Sequence, residues 1–174
     1  MISGDPVAPG PLGLTSTQIG KVGETIVAAQ LMLTSKGRLS PFLPIADDGG
    51  IDLLVYDKAT HRSLPVQVKG RVNHGEVSSR PVQFDVRRAT FVHRPDAFLL
   101  AVLLDLTYGT VQRGWLIPMS DLEKVSQQDA QLFSITPSPS AISKDRYTPY
   151  RCAAMVEVTD RLIAHLDQAT EVSQ

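Results

Sequence analysis

The amino-acid sequence predicts an α/β (α+β) chain in which a mixed central sheet is flanked by helices. An N-terminal segment with helical period is followed by three short β-rich runs, so helix and sheet alternate from the start. The longest apolar run, Ala97 to Leu104, is dense in Leu and Val, which suits a strand covered on both faces. Small elements follow this run, and a second apolar stripe closes the chain.

In order, Met1 to about Thr15 is rich in Gly and Pro without an apolar period and is expected to be a flexible leader. From Ser16, the residues Ile19, Val22, Ile26, Gln30 and Leu33 recur at helical spacing, a Ser/Thr cluster can cap the start, and Gly37 can end the helix. Strands are expected over Arg38 to Ile45, Ile51 to Tyr56 and Leu64 to Lys69, the last two forming a hairpin. Val82 to Val86 predicts a further short strand, and Arg87 to His93 a helical turn stopped by Pro95. Arg71 to Arg94 carries Gly and Pro and shows no helix. Val111 to Ile117 should pair with Ala97 to Leu106 across Tyr108-Gly109. Met119 to Val125 is expected as a short helix, Leu132 to Ile135 as an edge strand and Val158 to Ala169 as a closing helix with Leu162, Ile163, Leu166 and Ala169 in one stripe. No internal repeat or boundary divides residues 16–174, which are expected to form one domain.

Composition narrows the function classes. With 174 residues, 43% hydrophobic and 20% charged, the chain can bury an ordinary core. Cys152 stands alone, which excludes an internal disulfide framework, and no Cys/His spacing fits zinc. No apolar run approaches a membrane span and no export signal is evident, so a soluble cytoplasmic chain is the expectation. The net charge of −1 hides an asymmetry: His61 to Arg94 holds seven Lys/Arg against two acids, a net +5, leaving −6 elsewhere. This predicts a basic patch on an acidic body, with solvated loop charges as the plainer alternative.

Asp52 lies between Ile51 and Leu53, where an ionised carboxylate is costly unless a cation meets it. It could instead cap the Gly49-Gly50 turn. Gln67 and Lys69 stand at i and i+2 between Val66 and Val68, marking one polar face of an otherwise buried strand. Opposed residues of an antiparallel hairpin share a face, so Asp52 can join that pair only if opposed residue numbers sum to 119 or 121. The first register leaves Lys58 to His61 as a four-residue loop. Glu24 lies beside Val27, Ala28 and Leu31 on its helix, either converging on the same point or pairing with Lys21. An acid, an amide and an amine together suit phosphodiester hydrolysis with a hard divalent ion, because such ions take oxygen ligands and acidify bound water. Gln67 contributes a neutral oxygen, so weaker Mg2+ binding than at a site of two carboxylates is expected.

At these residues the chain resembles the PD-(D/E)xK, or restriction-endonuclease-like, superfamily. The narrower likeness is to its Mrr-like branch, in which a DGGID-type turn, here Asp48 to Asp52, precedes a QxK strand, here Gln67-Val68-Lys69. Gly23-Glu24 on the first helix is similar to a Gly-Glu placement in that branch and in archaeal Holliday-junction resolvases. The resemblance spans about Thr17 to Arg71. It implies a restriction-endonuclease-like core and a Mg2+- or Mn2+-dependent endonuclease acting on DNA. Asp52 would be the principal metal ligand, Gln67 and the Val68 carbonyl further ligands, Lys69 the catalytic lysine and Glu24 an auxiliary acid. Asp48 is either a ligand-side acid or a turn former.

Arg71, Arg87, Arg88 and Arg94 are candidate phosphate contacts, adding affinity without reading sequence; an exposed helical turn is the alternative for the last three. His61, His74, His93 and His165 form no ligand spacing and are expected on loops or the surface. Trp115 is expected in the core. A homodimer would give two sites for two strands. The competing class is a nuclease-like module that binds nucleic acid or a protein without cutting, and behind it an unrelated α/β domain with a coincidental QxK strand.

Overall fold

The computed structural model describes residues 13–45, 49–73, 76–91 and 94–171, with side chains through 168. Most of the expected leader, Asp48, His74 and His93 lie outside the described residues. Helix α1 spans Ser16–Thr34. Thr15 caps it: the Thr15 hydroxyl accepts from the Gln18 N–H, and the Gln18 side chain accepts from the Thr15 N–H. Beyond Thr34 the Gly37 N–H donates to the Met32 carbonyl at 2.9 Å, and Lys36 and Gly37 take φ of +52° and +80°, which ends the helix.

The buried face of α1 is Gly23, Glu24, Val27, Ala28 and Leu31, the side on which the sequence places Glu24, and not that of the residues whose spacing marks the helix. Val22 and Leu33 are exposed, and Ile26 is only partly buried. The reason is steric: a Cβ at Gly23 would lie 2.8 Å from Leu104 Cδ1, so the glycine side of the helix is the one that fits against the sheet.

The main sheet contains β1 (Leu39–Phe42), β2 (Leu53–Asp57), β3 (Arg62–Val72), β5 (Phe98–Asp105), β6 (Thr110–Pro118) and β9 (Arg151–Cys152), in the order β1-β2-β3-β5-β6-β9. Only β3 and β5 run parallel; the other neighbours are antiparallel, so the sheet is mixed. The connection between β3 and β5 carries no α-helix. It holds β4 (Phe84–Arg87) and a 3-10 turn (Arg88–Thr90). β7 (Gln127–Gln128) and β8 (Leu132–Ile135) join β4 in a second sheet ordered β4-β8-β7. Leu132 to Ile135 is therefore a central strand, not an edge: Ser134 is opposed by Asp85 on one side and Gln127 on the other.

Helices α2 (Met119–Val125) and α3 (Met155–Glu171) complete the layers. β5 is buried along seven of its eight residues and shows how the layers are filled. Phe98, Leu100, Val102 and Leu104 enter a core shared with α1 and α3, whereas Leu99, Ala101 and Leu103 enter one shared with α2, Trp115 and the small sheet. The period-2 alternation of a strand thus serves two apolar cores. No described helix is long and apolar enough to cross a membrane.

Candidate active site

The β2–β3 hairpin has the 119 register: Leu53 opposes Val66 and Asp57 opposes Arg62, leaving Lys58 to His61 as the loop. The Asp52 N–H donates to the Val66 carbonyl at 3.0 Å, one residue out of that register, so regular pairing stops at Leu53, and Asp52 lines the same cleft as Gln67. Val66 and Val68 enter the α1 side of the core, which turns Gln67, Lys69 and Arg71 to the other face.

β2 begins only at Leu53 while β3 runs on to Val72, so beyond Val66 one edge of β3 has no strand partner. Asp52 occupies this opening. Its Oδ2 accepts the Val68 N–H at 2.6 Å, which fixes the carboxylate against the strand that carries Gln67 and Lys69. A strand edge otherwise left to water is satisfied by a charged acceptor.

These residues line a cleft of about 530 Å³ together with Glu24, Val68, Arg71, Arg87, Lys21, Gly50, Asp85 and Thr90. Glu24 and Asp52 are buried, at 8% and 6% exposure. Lys21 Nζ donates to Glu24 Oε2 at 2.7 Å, so the two readings of Glu24 coincide: it converges on the cleft and pairs with Lys21. Lys69 is half-buried and makes no hydrogen bond or ion pair with the described residues. Arg71 donates from Nε to the Gln83 carbonyl at 2.9 Å and lies 3.8 Å from Asp85 Oδ2, which joins the main sheet to the small one. Arg87 is exposed on β4 at the opposite wall.

Gln67 is 3% exposed, and its Oε1 has no hydrogen-bond partner. An orphaned buried acceptor costs about 1–3 kcal/mol, and here it belongs to a residue that lines a cleft with the buried Asp52. A divalent ion fits this set, since Asp52, Glu24, Gln67 Oε1 and the Val68 carbonyl are all oxygen donors. Among the described residues no three His, Cys, Asp or Glu side chains gather, so an ion held here would need the amide or carbonyl oxygen.

The structure sets Arg88 and Arg94 apart from the cleft. The Arg88 guanidinium lies 4.5 Å from the centre of the Phe133 ring and donates to Gln128 Oε1 and the Asp129 carbonyl. Arg94 donates through Nε and a terminal nitrogen to Asp96 at 3.0 and 2.6 Å. Local partners claim both cations.

Gly50, Lys21, Asp85 and Thr90 are among the cleft residues that sequence reasoning missed. Gly50 has φ +63°, and a Cβ there would lie 2.2 Å from the Thr90 carbonyl oxygen. The turn before Asp52 is thereby pressed onto the turn after β4. Gly50→Ala is expected to cost about 1–3 kcal/mol, lowering Tm by roughly 5 °C; an unchanged melting curve would refute the close approach.

Comparison with solved structures finds likenesses of different strength. A bacterial homing endonuclease, I-Ssp6803I, matches at a TM-score of 0.54 with 16% identity, over 88% of this chain and 98% of that one. Hjc, a Holliday junction resolvase from the archaeal hyperthermophile Archaeoglobus fulgidus, matches at a TM-score of 0.42 with 12% identity, over 75% of this chain and 96% of that one. The chain thus shares the mixed α+β fold of the homing endonuclease. No protein-family model and no curated protein matches it.

Proposed function

We propose that the protein is a divalent-metal-dependent endonuclease that hydrolyses phosphodiester bonds of DNA, of the Mrr-like QxK type. The observation that carries this reading is the buried, unpartnered Gln67 Oε1, set beside Asp52 in a cleft that also holds Lys69. Asp52, Gln67 and the Val68 carbonyl would hold Mg2+ or Mn2+, with Glu24 as an auxiliary acid. Such an ion supplies an acidified water and neutralises charge on the phosphate.

The remaining tasks belong to side chains. Asp52, anchored by the Val68 N–H, keeps its carboxylate in one orientation. Lys69 emerges two residues from Gln67 on the same face, where its ammonium can donate to the attacking water or to a phosphate oxygen as negative charge grows there. Arg71 and Arg87 attract the phosphate backbone from two walls. Cutting both strands requires two such sites, which a homodimer supplies.

The test is cleavage of plasmid, single-stranded and branched DNA with and without Mn2+, alongside Lys69→Ala. Mn2+-dependent cutting should fall by at least about 100-fold in the variant while its Tm stays within about 2 °C. Chelator-insensitive DNA binding with no cutting would replace this reading with that of a binding module, and cutting that survives Lys69→Ala would remove Lys69 from the catalytic set.

A further inference from the structure

Five residues along one side of α1 line the cleft: Ser16, Thr17, Gly20, Lys21 and Glu24. Only Glu24 has a task in the reading above. Gly20 lies inside the helix, yet a Cβ there would meet no atom within 4 Å, and its φ is not left-handed. Packing and backbone geometry therefore give no reason for glycine. The contrast is Gly23, where Leu104 forbids a side chain. Glycine inside a helix is unfavourable relative to alanine. Gly20 does leave bare helix backbone facing the cleft, the arrangement that lets a ligand come close.

The neighbours of Gly20 suit an anion. Lys21 is 53% exposed and holds its ammonium 2.7 Å from Glu24, at the junction of the helix with the candidate metal site. Ser16 and Thr17 bring exposed hydroxyls one turn earlier. The other walls carry Lys69, Arg71 and Arg87, so four cations from α1, β3 and β4 face three acids, Glu24, Asp52 and Asp85, and Gln67, whose oxygen is buried and unpartnered, lines the same space. A cleft of about 530 Å³ with cations on several walls suits an extended polyanion better than one small ion.

We propose that the Ser16-Thr17-Gly20-Lys21 side of α1 is a backbone track for DNA. One strand passes over Gly20, with a phosphate held by Lys21 and the two hydroxyls, and the adjoining phosphate is thereby presented to Asp52 and Lys69. This rests on the proposed function for the identity of the ligand, but it concerns binding and can be measured without catalysis.

The experiment is fluorescence anisotropy of a short labelled DNA duplex with the full chain in chelator, together with thermal melts. Gly20→Leu should raise Tm by about 2 °C, because leucine is the better helix former, while weakening DNA binding by about tenfold. A protein made more stable and less able to bind cannot be dismissed as misfolded. Lys21→Gln should weaken binding about fivefold and reduce the slope of log K against log salt by about 0.9. Lys124→Gln, which removes an exposed lysine of α2 outside the cleft, should bind as the parent does.

If Gly20→Leu and Lys21→Gln both bind DNA like the parent, the track is wrong, even where lysine-dependent cutting upholds the nuclease. If the parent never cuts but both variants lose DNA binding, the track stands and the nuclease reading falls.

Discussion

Asp52→Asn is expected to lower Mg2+- or Mn2+-dependent DNA cleavage by about 1000-fold or more while the fold survives. The two halves of that expectation have separate causes. The asparagine carboxamide keeps an oxygen able to accept the Val68 N–H, the contact that ties the start of β2 to β3. It loses the negative charge, and with Gln67 already neutral the cleft would retain only Glu24, itself paired with Lys21, and Asp85 beside Arg71. A hard divalent ion is then poorly held. Melting curves read this without catalysis: at a free Mg2+ concentration 100 times Kd, binding stabilises the native state by about 2.7 kcal/mol. The parent's Tm should rise accordingly and the variant's should not. Equal shifts in the two proteins would remove Asp52 from the ligand set.

The second large effect lies away from the cleft. Asp57, at the end of β2, is fully buried and accepts from Arg38 Nε at 2.9 Å, from an Arg38 terminal nitrogen at 2.8 Å, from the Ala59 N–H and from the Thr60 hydroxyl. Arg38 also reaches Asp167 on α3, so a single guanidinium joins the first hairpin to the last helix. The Arg38 hydrogen bonds hold the Asp57 carboxyl far below the ordinary carboxylate range, against the opposing effect of burial. Arg38→Ala leaves that carboxylate buried without its cation, which costs about 3–5 kcal/mol and lowers Tm by roughly 10 °C.

The pH dependence follows from the sign of the shift. A carboxyl depressed in the folded state contributes stability that is complete above its unfolded pKa, near 3.8, and is lost as pH falls toward the folded value. In urea titrations the gap between parent and Arg38→Ala should be constant above about pH 5 and narrow below about pH 4. Parallel curves down to about pH 2 would contradict the assignment.

Local and alternating features were the legible ones. The hairpin register could be narrowed to sums of 119 or 121 if Asp52 was to join the face of Gln67 and Lys69, and loop length favoured the first; Leu53 opposite Val66 is that register. The apolar run around Leu100 announced a strand covered on both sides, and Met119 to Val125 emerged with the expected bounds. The small sheet was hidden for a physical reason. β4 and β8 are joined by pairs such as Asp85 with Ser134, far apart in sequence, and β7 is too short to show any period. Asp85 and Thr90 reach the cleft only through that long-range pairing, so no neighbouring residue signals them. The spacing of Ile19, Val22, Ile26 and Leu33 announced the helix but not its buried face, because an apolar count gives Gly23 no weight, although the missing side chain is what allows the helix to approach Leu104.

Leu104 also lies 2.8 Å from where a Cβ on Gly70 would stand, as it does for Gly23. One branched tip therefore works as a dowel seated in two sockets, one on the helix that bears Glu24 and one on the strand that bears Lys69. A change of shape at position 104 would therefore reach the supports of the acid and of the amine at once.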